Sequence, residues 1–445
     1  MVQPAVSRRA WLTWAAGATV YLLAVFNRST LGIAGPAAIE RFGLSASQLG
    51  TFVMLQVGVY AAMQIPAGLL IDRYGPRRML LIAALLMSVG QCGFALATRY
   101  PLALVSRGVL GCGDAMTYVS VLRLVAVWFP ASRYALMASF TGFFGIAGNV
   151  LATVPLAALL PVLGWGRAFG VAAALCLLFA AVLARPGTVP PPYSTSRPAP
   201  VDDQASRLRR ILQDVRSAWA EPGERLGLWV HFAAMCAPMV FLVLWGYPYL
   251  TQALGYSASG ASSVLLLMVM MQLALSVVCG WVMGRWPIAR VPLAFGATVC
   301  ALAGLGLLVG WPGGQPPPGA VIVAALLLTL GTPGSGAAFL LARDYNPAYR
   351  MSTATGLANT GGWSATLVGV LVVGVVLDAV EPDGVHTTVG YRWAFAGVLL
   401  ITVFGLVRMI VWWRRVRGSL LRLQATGEHG PIVVVRHWFD QPVAR

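Results

Sequence analysis

Gly68-Leu69-Leu70-Ile71-Asp72-Arg73-Tyr74-Gly75-Pro76-Arg77-Arg78 decides the fold. Gly68 permits a neighbouring helix to approach closely, and Gly75 with Pro76 makes a tight turn. Asp72 stands among Arg73, Arg77 and Arg78, so the turn is charged. On either side the chain is apolar for long enough to cross about 30 Å of hydrocarbon at about 1.5 Å per residue. The stretch therefore reads as a charged turn joining two membrane helices.

The same alternation runs the length of the chain. Of 445 residues 58% are hydrophobic and only 10% charged, against about 25% charged in an ordinary soluble domain. Helices are expected near 11–37, 48–71, 79–98, 102–129, 134–160 and 166–184, then near 226–253, 258–284, 290–311, 319–344, 350–378 and 389–413. All 31 basic residues are arginine. A net charge of +17 would suit a nucleic-acid partner, but the arginines punctuate the gaps between apolar segments and form no basic face. Cys92, Cys112, Cys176, Cys236, Cys279 and Cys300 lie inside apolar segments without metal-ligand spacing, so neither a disulfide framework nor a metal site is expected. Arg8 and Arg9 precede an apolar run too long for a cleaved signal, so the first helix is expected to be retained.

Loop charge gives the orientation. Arg8, Arg9, the Asp72–Arg78 turn, Arg133, the stretch from Arg185 to Arg225, Arg285, Arg290, Arg343, Arg350 and Arg414, Arg415 and Arg417 fall on one side. Arg41, Arg99, Arg167 and Arg392 fall on the other, with Asp378, Glu381 and Asp383. That bias places both termini in the cytoplasm of a multi-pass protein of the bacterial inner or cell membrane. The expected domains are an N-terminal six-helix bundle (1–184), a linker (185–225), a C-terminal six-helix bundle (226–413) and a cytoplasmic tail (414–445). The linker opens on Pro186, Gly187 and Pro190, Pro191 and Pro192, as an extended piece would. Leu208, Ile211, Leu212 and Val215 then mark one face of an amphipathic helix on the membrane surface, or belong to a floppy basic tether. Ile432 to Val435 in the tail reads as a short strand or as nothing.

Internal repeats fix the architecture. Pro130-Ala131-Ser132-Arg133 is matched by Pro347-Ala348-Tyr349-Arg350. Gly164-Trp165-Gly166-Arg167-Ala168-Phe169 is matched by Gly390-Tyr391-Arg392-Trp393-Ala394-Phe395. The opening stretch pairs with Gly280-Trp281-Val282-Met283-Gly284-Arg285, and the offsets are all roughly 210 to 230 residues. Two halves of like topology follow, as in parallel repeats about an axis along the membrane normal. The fold class expected is all-α, with twelve transmembrane helices in two parallel-repeat bundles.

The stretch from Gly68 to Arg78 closely resembles the signature between the second and third helices of the major facilitator superfamily, and the resemblance covers about residues 10–415. It implies a secondary transporter with a central cavity that opens to one side at a time, working as a monomer. Gly68, Asp72, Arg73, Gly75, Arg77 and Arg78 would then form a conformational gate. The second copy is degraded, with Gly284 where an aspartate would stand, so any latch is one-sided.

Ionisable side chains at membrane depth cost roughly 2.5 to 3.5 kcal/mol on insertion scales and mark function by default. The deep ones are Arg28 in the first helix and Arg107, Asp114 and Arg123 in the fourth. Asp114 follows Arg107 by seven residues, which puts both on one helical face. Arg28 and Arg107 could converge on one anionic ligand, two guanidinium forks suiting a carboxylate, nitrate or phosphate, with Asp114 just below exchanging protons. The trio resembles the anion:cation symporter branch, in which an arginine in helix one and an Arg-x6-Glu pair in helix four bind the anion and couple protons. Asn27 departs from that branch, which has an acidic residue there, so coupling would rest on Asp114. Arg123 points off the Asp114 face and reads as structural.

Gly145-Ile146-Ala147-Gly148-Asn149 and Gly356-Leu357-Ala358-Asn359-Thr360-Gly361-Gly362 resemble nitrate/nitrite carriers, but those place substrate arginines in helices two and eight, which carry none here. Close helix packing is the alternative for the glycines, and Asn149 and Asn359 are candidate cavity groups. Trp245-Gly246-Tyr247-Pro248-Tyr249 reads as an aromatic gate, with Tyr247 a substrate contact, or as an interfacial belt. Gln252 and Gln272 are further polar groups, and His231 reads as a packed histidine. An enzyme finds no support, with no HExxH, GxSxG, catalytic carboxylate pair or phosphate loop, and no cofactor is implied. Proton-coupled transport of a small organic or inorganic anion is the leading reading. Export of amphipathic drug-like compounds, a nitrate/nitrite-type carrier and a transport-dead scaffold stay open.

Overall fold

The computed structural model describes residues 6–44, 46–185, 204–381, 386–427 and 430–431. Among these, twelve helices are long and apolar enough to cross a membrane. They are α1 (Arg8–Leu31), α2 (Met54–Tyr74), α3 (Pro76–Leu96), α4 (Tyr100–Trp128), α5 (Ala131–Ala152), α6 (Ala158–Ala184), α7 (Pro222–Ala253), α8 (Ala258–Arg285), α9 (Pro287–Gly310), α10 (Pro318–Tyr345), α11 (Ala348–Val380) and α12 (Thr388–Ala425). The chain divides into one unit of Met1–Val215 with Ala348–Gly356 and another of Arg216–Pro347 with Leu357–Arg445.

Helix ends obey local chemistry. Ser7 accepts from the Ala10 amide at 3.2 Å and so caps α1, whose helix continues past the span to Phe42 and stops at Gly43, left-handed at φ 62°. Gly75 sits at φ 83° between α2 and α3, a conformation open to glycine at no steric cost. The chain stays helical from Tyr134 to Ala184 except at Gly164, whose φ of 71° and ψ of 170° break the run. In α7, π-helical turns at Phe241–Trp245 and Tyr249–Ala253 flank Gly246–Pro248; Pro238 and Pro248 remove amide donors there.

In the first unit Phe42, Phe52, Phe94, Trp165 and Phe169 form an aromatic cluster. Trp165 fastens it by donating to the Phe94 carbonyl at 3.0 Å. The second unit has its counterpart in Phe241, Tyr249, Tyr391 and Phe395. There Trp245 donates to the Val370 carbonyl at 3.0 Å, so this member of the expected aromatic gate is held against α11.

Several helix ends differ from expectation, most plainly in the first and last helices. The first helix is longer at both ends, and the last runs to Ala425 instead of ending near 413. The exposed Arg414, Arg415 and Arg422 solvate a helix that has left the apolar layer, and no glycine or proline forces an earlier stop except Gly418, which a helix tolerates. A helix does form in the linker, at Gln204–Ala220. Pro186 to Pro192, Asp383 and the Ile432–Val435 run lie outside the described residues.

Candidate functional site

The first unit brings Arg28 of α1 and Asp114 of α4 together. Arg28 Nε donates to Asp114 Oδ2 at 2.8 Å and its Nη2 donates to Oδ1 at 2.7 Å, a two-bond fork on one carboxylate. Asp114 is fully buried, while the Arg28 side chain keeps 18% exposure. The Arg28 guanidinium also lies 4.5 Å from the centre of the Tyr60 ring on α2, a distance at which ring and cation attract. Tyr21 and Tyr118 pack against each other nearby, their rings tilted by 44° with centroids 5.1 Å apart. Beside Arg28, Ser29 donates to Asn149 Oδ1, which ties α5 to the same stretch of α1.

Arg107 is placed differently from the expectation of two converging forks. It is wholly buried. Nη1 donates to the Asn27 carbonyl at 3.0 Å and to Thr30 Oγ1 at 3.5 Å, and Nη2 donates to the Arg28 carbonyl at 3.3 Å and to Gln56 Oε1. Its guanidinium lies 5.2 Å from the Phe94 ring centre. Both Arg107 and Asp114 face α1, as their spacing requires, and Arg107 grips the backbone under Arg28. A buried cation that donates to main-chain carbonyls anchors the helix that carries them.

Close helix approach depends on glycine. A methyl on Gly148 would come within 3.1 Å of the Phe26 amide nitrogen of α1. In the second unit a methyl on Gly361 would collide with the Leu228 carbonyl oxygen, and one on Gly362 would meet His231 Nε2 at 2.7 Å. This packing brings His231 of α7 against Asn359 of α11, with Nε2 3.1 Å from Asn359 Oδ1 and Nδ1 3.4 Å from the Ser335 carbonyl. Asn359 is therefore buried beside a packed histidine. Tyr247 is 40% exposed on α7.

The charged turn after α2 is held mainly by main-chain donors. Asp72 Oδ1 accepts from the Ser352 amide at 3.0 Å, and Oδ2 accepts from the Thr353 amide and hydroxyl, each at 2.7 Å. A carboxylate at the first turn of α11 meets both the free amides and the positive end of the helix dipole. A methyl on Gly68 would fall 2.8 Å from Thr353 Cα, so the glycine is what lets α2 reach this place. Arg77 donates to the Leu183 carbonyl at 3.0 Å, and Arg73 lies over the Tyr74 ring. Arg123 donates toward Met351 Sδ at 3.8 Å.

Twelve apolar spans mark a multi-pass membrane protein, and two of them bury an arginine–aspartate pair. The chain belongs to the Major Facilitator Superfamily, whose model matches residues 17–370. Solved structures agree on the fold. A proton:xylose symporter bound to 6-bromo-6-deoxy-D-glucose aligns with a TM-score of 0.67 at 16% identity over 91% of this chain and 96% of that one. A bacterial homologue of the human lysosomal transporter Spinster, inward-facing and unoccupied, gives 0.64 at 15% identity over 92% and 98%.

Several sequence relatives are named as transporters of organic anions. A probable sulfoacetate transporter of Cupriavidus necator is 28% identical over 158 residues, which is 36% of this chain and 37% of that one. A probable L-galactonate transporter of Escherichia coli is 30% identical over 156 residues, 34% of each. The hexuronate transporter of the same organism is 26% identical over 162 residues, 36% and 37%. The chain thus matches little more than a third of these relatives' length.

The sequence did not single out Tyr60, Gln56, Ser29 or Tyr21. Gln56 carried a signal, being an amide inside an apolar run. Tyrosines in an apolar run look like interfacial or core residues until a cation is found over one.

Proposed function

We propose that the protein carries a small organic anion, with a carboxylate or similar group, together with a proton across the cell membrane. The Arg28–Asp114 fork is the observation that carries this reading. Arg28 is the member of the pair that keeps some exposure, and its guanidinium geometry suits a substrate carboxylate as well as it suits Asp114. When a substrate anion takes that fork, Asp114 is left buried without its counter-ion. A carboxylate in that position is stable only with a proton on it, because an unpaired charge inside the bundle costs several kcal/mol. Anion and proton then enter together, and neither leaves the other's site charged while the protein alternates.

In this reading Arg28 binds the substrate, Asp114 carries the proton and Arg107 holds α1 so that Arg28 is aimed. Asn149, Tyr247 and Asn359 are the proposed further substrate contacts. Asp72, with Gly68, Arg73, Gly75, Arg77 and Arg78, forms the gate at the start of α11. The arginine distribution supports cytoplasmic termini in a bacterial inner membrane. Relatives named for sulfoacetate, L-galactonate and hexuronate support an organic anion over nitrate or a drug-like cation. The protein is taken to work as a monomer with two six-helix domains at 1–184 and 226–413.

Uptake into proteoliposomes under an inward proton gradient tests this, with sugar acids, sulfonated acids, nitrate and phosphate as substrates. One organic anion should accumulate, and Arg28→Ala should abolish its uptake. Accumulation that ignores Arg28→Ala would reject the site, and transport of amphipathic cations in its place would favour the exporter.

A further inference from the structure

We infer that the end of the second unit where α7 begins and α12 leaves the apolar layer is a binding site for the phosphodiester headgroup of an anionic phospholipid. Two aromatic–arginine rungs cross between these helices. Arg225 of α7 lies 4.9 Å from the Trp412 ring centre on α12, and Arg408 of α12 lies 5.1 Å from Trp229 on α7. Each helix contributes one arginine and one tryptophan spaced by four residues, so the rungs stand one helical turn apart. Arg415 stacks on Trp412 as well, at 4.7 Å. Arg225 also lies 5.4 Å from the Trp219 ring centre and donates through Nε to the Trp219 carbonyl at 2.6 Å. That bond fastens the end of the linker helix to the site.

Depth places these groups at a membrane surface. Trp412 lies about 36 Å along α12 from its start at Thr388, just beyond about 30 Å of hydrocarbon, and Arg408 lies about 30 Å along. Tryptophan and arginine favour that level, the indole and the arginine stem meeting the acyl boundary and the charge meeting headgroups. The chemistry is one-sided. Among the described residues Arg225, Arg408 and Arg415 form no ion pair with a carboxylate. The carboxylate next to Arg225, Glu224, turns to accept from Asn346 Nδ2 at 2.9 Å. Indole rings cover faces of the three guanidinium groups and leave N–H edges, which are donors only. A cluster of cationic donors with apolar walls at headgroup depth fits a phosphodiester that has its own acyl chains.

The full-length protein, purified and then supplied with phosphatidylglycerol or phosphatidylcholine, would be assayed for retained lipid by native mass spectrometry. Phosphatidylglycerol should be retained in preference. Arg225→Gln and Arg415→Gln should each weaken retention about fivefold, and together about 25-fold, at about one arginine's surface contribution apiece. Arg415 is exposed, so its variant keeps the fold whatever Arg225→Gln does, and thermal unfolding checks both. Equal retention of phosphatidylcholine, or retention unchanged in Arg415→Gln, would reduce the cluster to an intramolecular staple and overturn the proposal. Displacement of the lipid by equimolar inorganic phosphate would assign the site to a soluble anion and overturn it equally.

Discussion

Replacing Asp114 by Asn separates the two halves of the proposed coupling. Asparagine keeps one acceptor oxygen where the carboxylate has two, so one of the Arg28 bonds at 2.7 and 2.8 Å survives as a neutral one and the other is lost. Removing one partner of a buried pair costs about 3 to 5 kcal/mol when the other is left stranded. Arg28 is not stranded, since it keeps some exposure and the Tyr60 ring, so the loss of stability should be nearer about 2 kcal/mol. The substrate, however, gains. In the native protein an anion must take Arg28 from a charged rival, and in Asp114→Asn that rival is neutral. Anion affinity should therefore rise about tenfold, equivalent to about 1.4 kcal/mol. It should also lose its dependence on pH, whereas native affinity falls as pH rises because binding takes up a proton. Counterflow exchange of labelled anion should persist while accumulation driven by a proton gradient disappears. Equilibrium binding from pH 5 to 8 and gradient-driven uptake measure both. Native-like accumulation by Asp114→Asn, or an affinity that stays pH-dependent, would refute the reasoning.

Arg107→Gln should destabilise the protein by about 3 kcal/mol, and Arg107→Lys should recover little, because one ammonium cannot reach the Asn27 and Arg28 carbonyls and Gln56 together. Thermal unfolding in detergent measures that, and a raised KM in whatever folds would show that Arg28 has lost its aim. Gly68→Ala puts a methyl 2.8 Å from Thr353 Cα and should cost about 1 to 3 kcal/mol, whereas Asp72→Asn, losing the charge at the start of α11, should cost about 1 kcal/mol. Equal melting temperatures for either variant and the native protein would contradict this packing. At Glu381, between α11 and α12, slight burial raises the carboxyl pKa, but bonds from the Thr387 hydroxyl and amide and the Gly390 amide outweigh it and hold the group below its usual 4.5. A depressed pKa contributes stability above the unfolded value that vanishes as pH falls through the folded one. Glu381→Gln should accordingly melt below the native protein at pH 6 and match it near pH 3.

What the sequence disclosed follows from which interactions leave a local trace. Membrane spans do, because each must satisfy its own backbone and so appears as a continuous apolar run. Arg28 and Asp114 stood out for the same reason, being costly where they lie. Their partnership did not, because depth along two helices says nothing about rotation of one against the other. The seven-residue spacing correctly put Arg107 and Asp114 on one face of α4. It could not reveal that this face meets α1 itself, so that Arg107 is consumed by the Asn27 and Arg28 carbonyls. Backbone acceptors carry no side-chain signature.

Asp72 shows the same blindness from the other direction. Its neighbours in sequence are arginines, and a latch among charges was the natural expectation. Beside the Thr353 hydroxyl, its hydrogen-bond partners are the amides of Ser352 and Thr353, 280 and 281 positions away, which any residue but proline could supply. Gly68 was the better clue, since a missing side chain next to a charged turn points to a backbone that comes close. The same logic runs through Gly148 and Gly361, where the glycines lie against main chain in α1 and α7. In this protein the helices that carry the polar groups approach one another main chain to main chain, and glycine is where those approaches are written in the sequence.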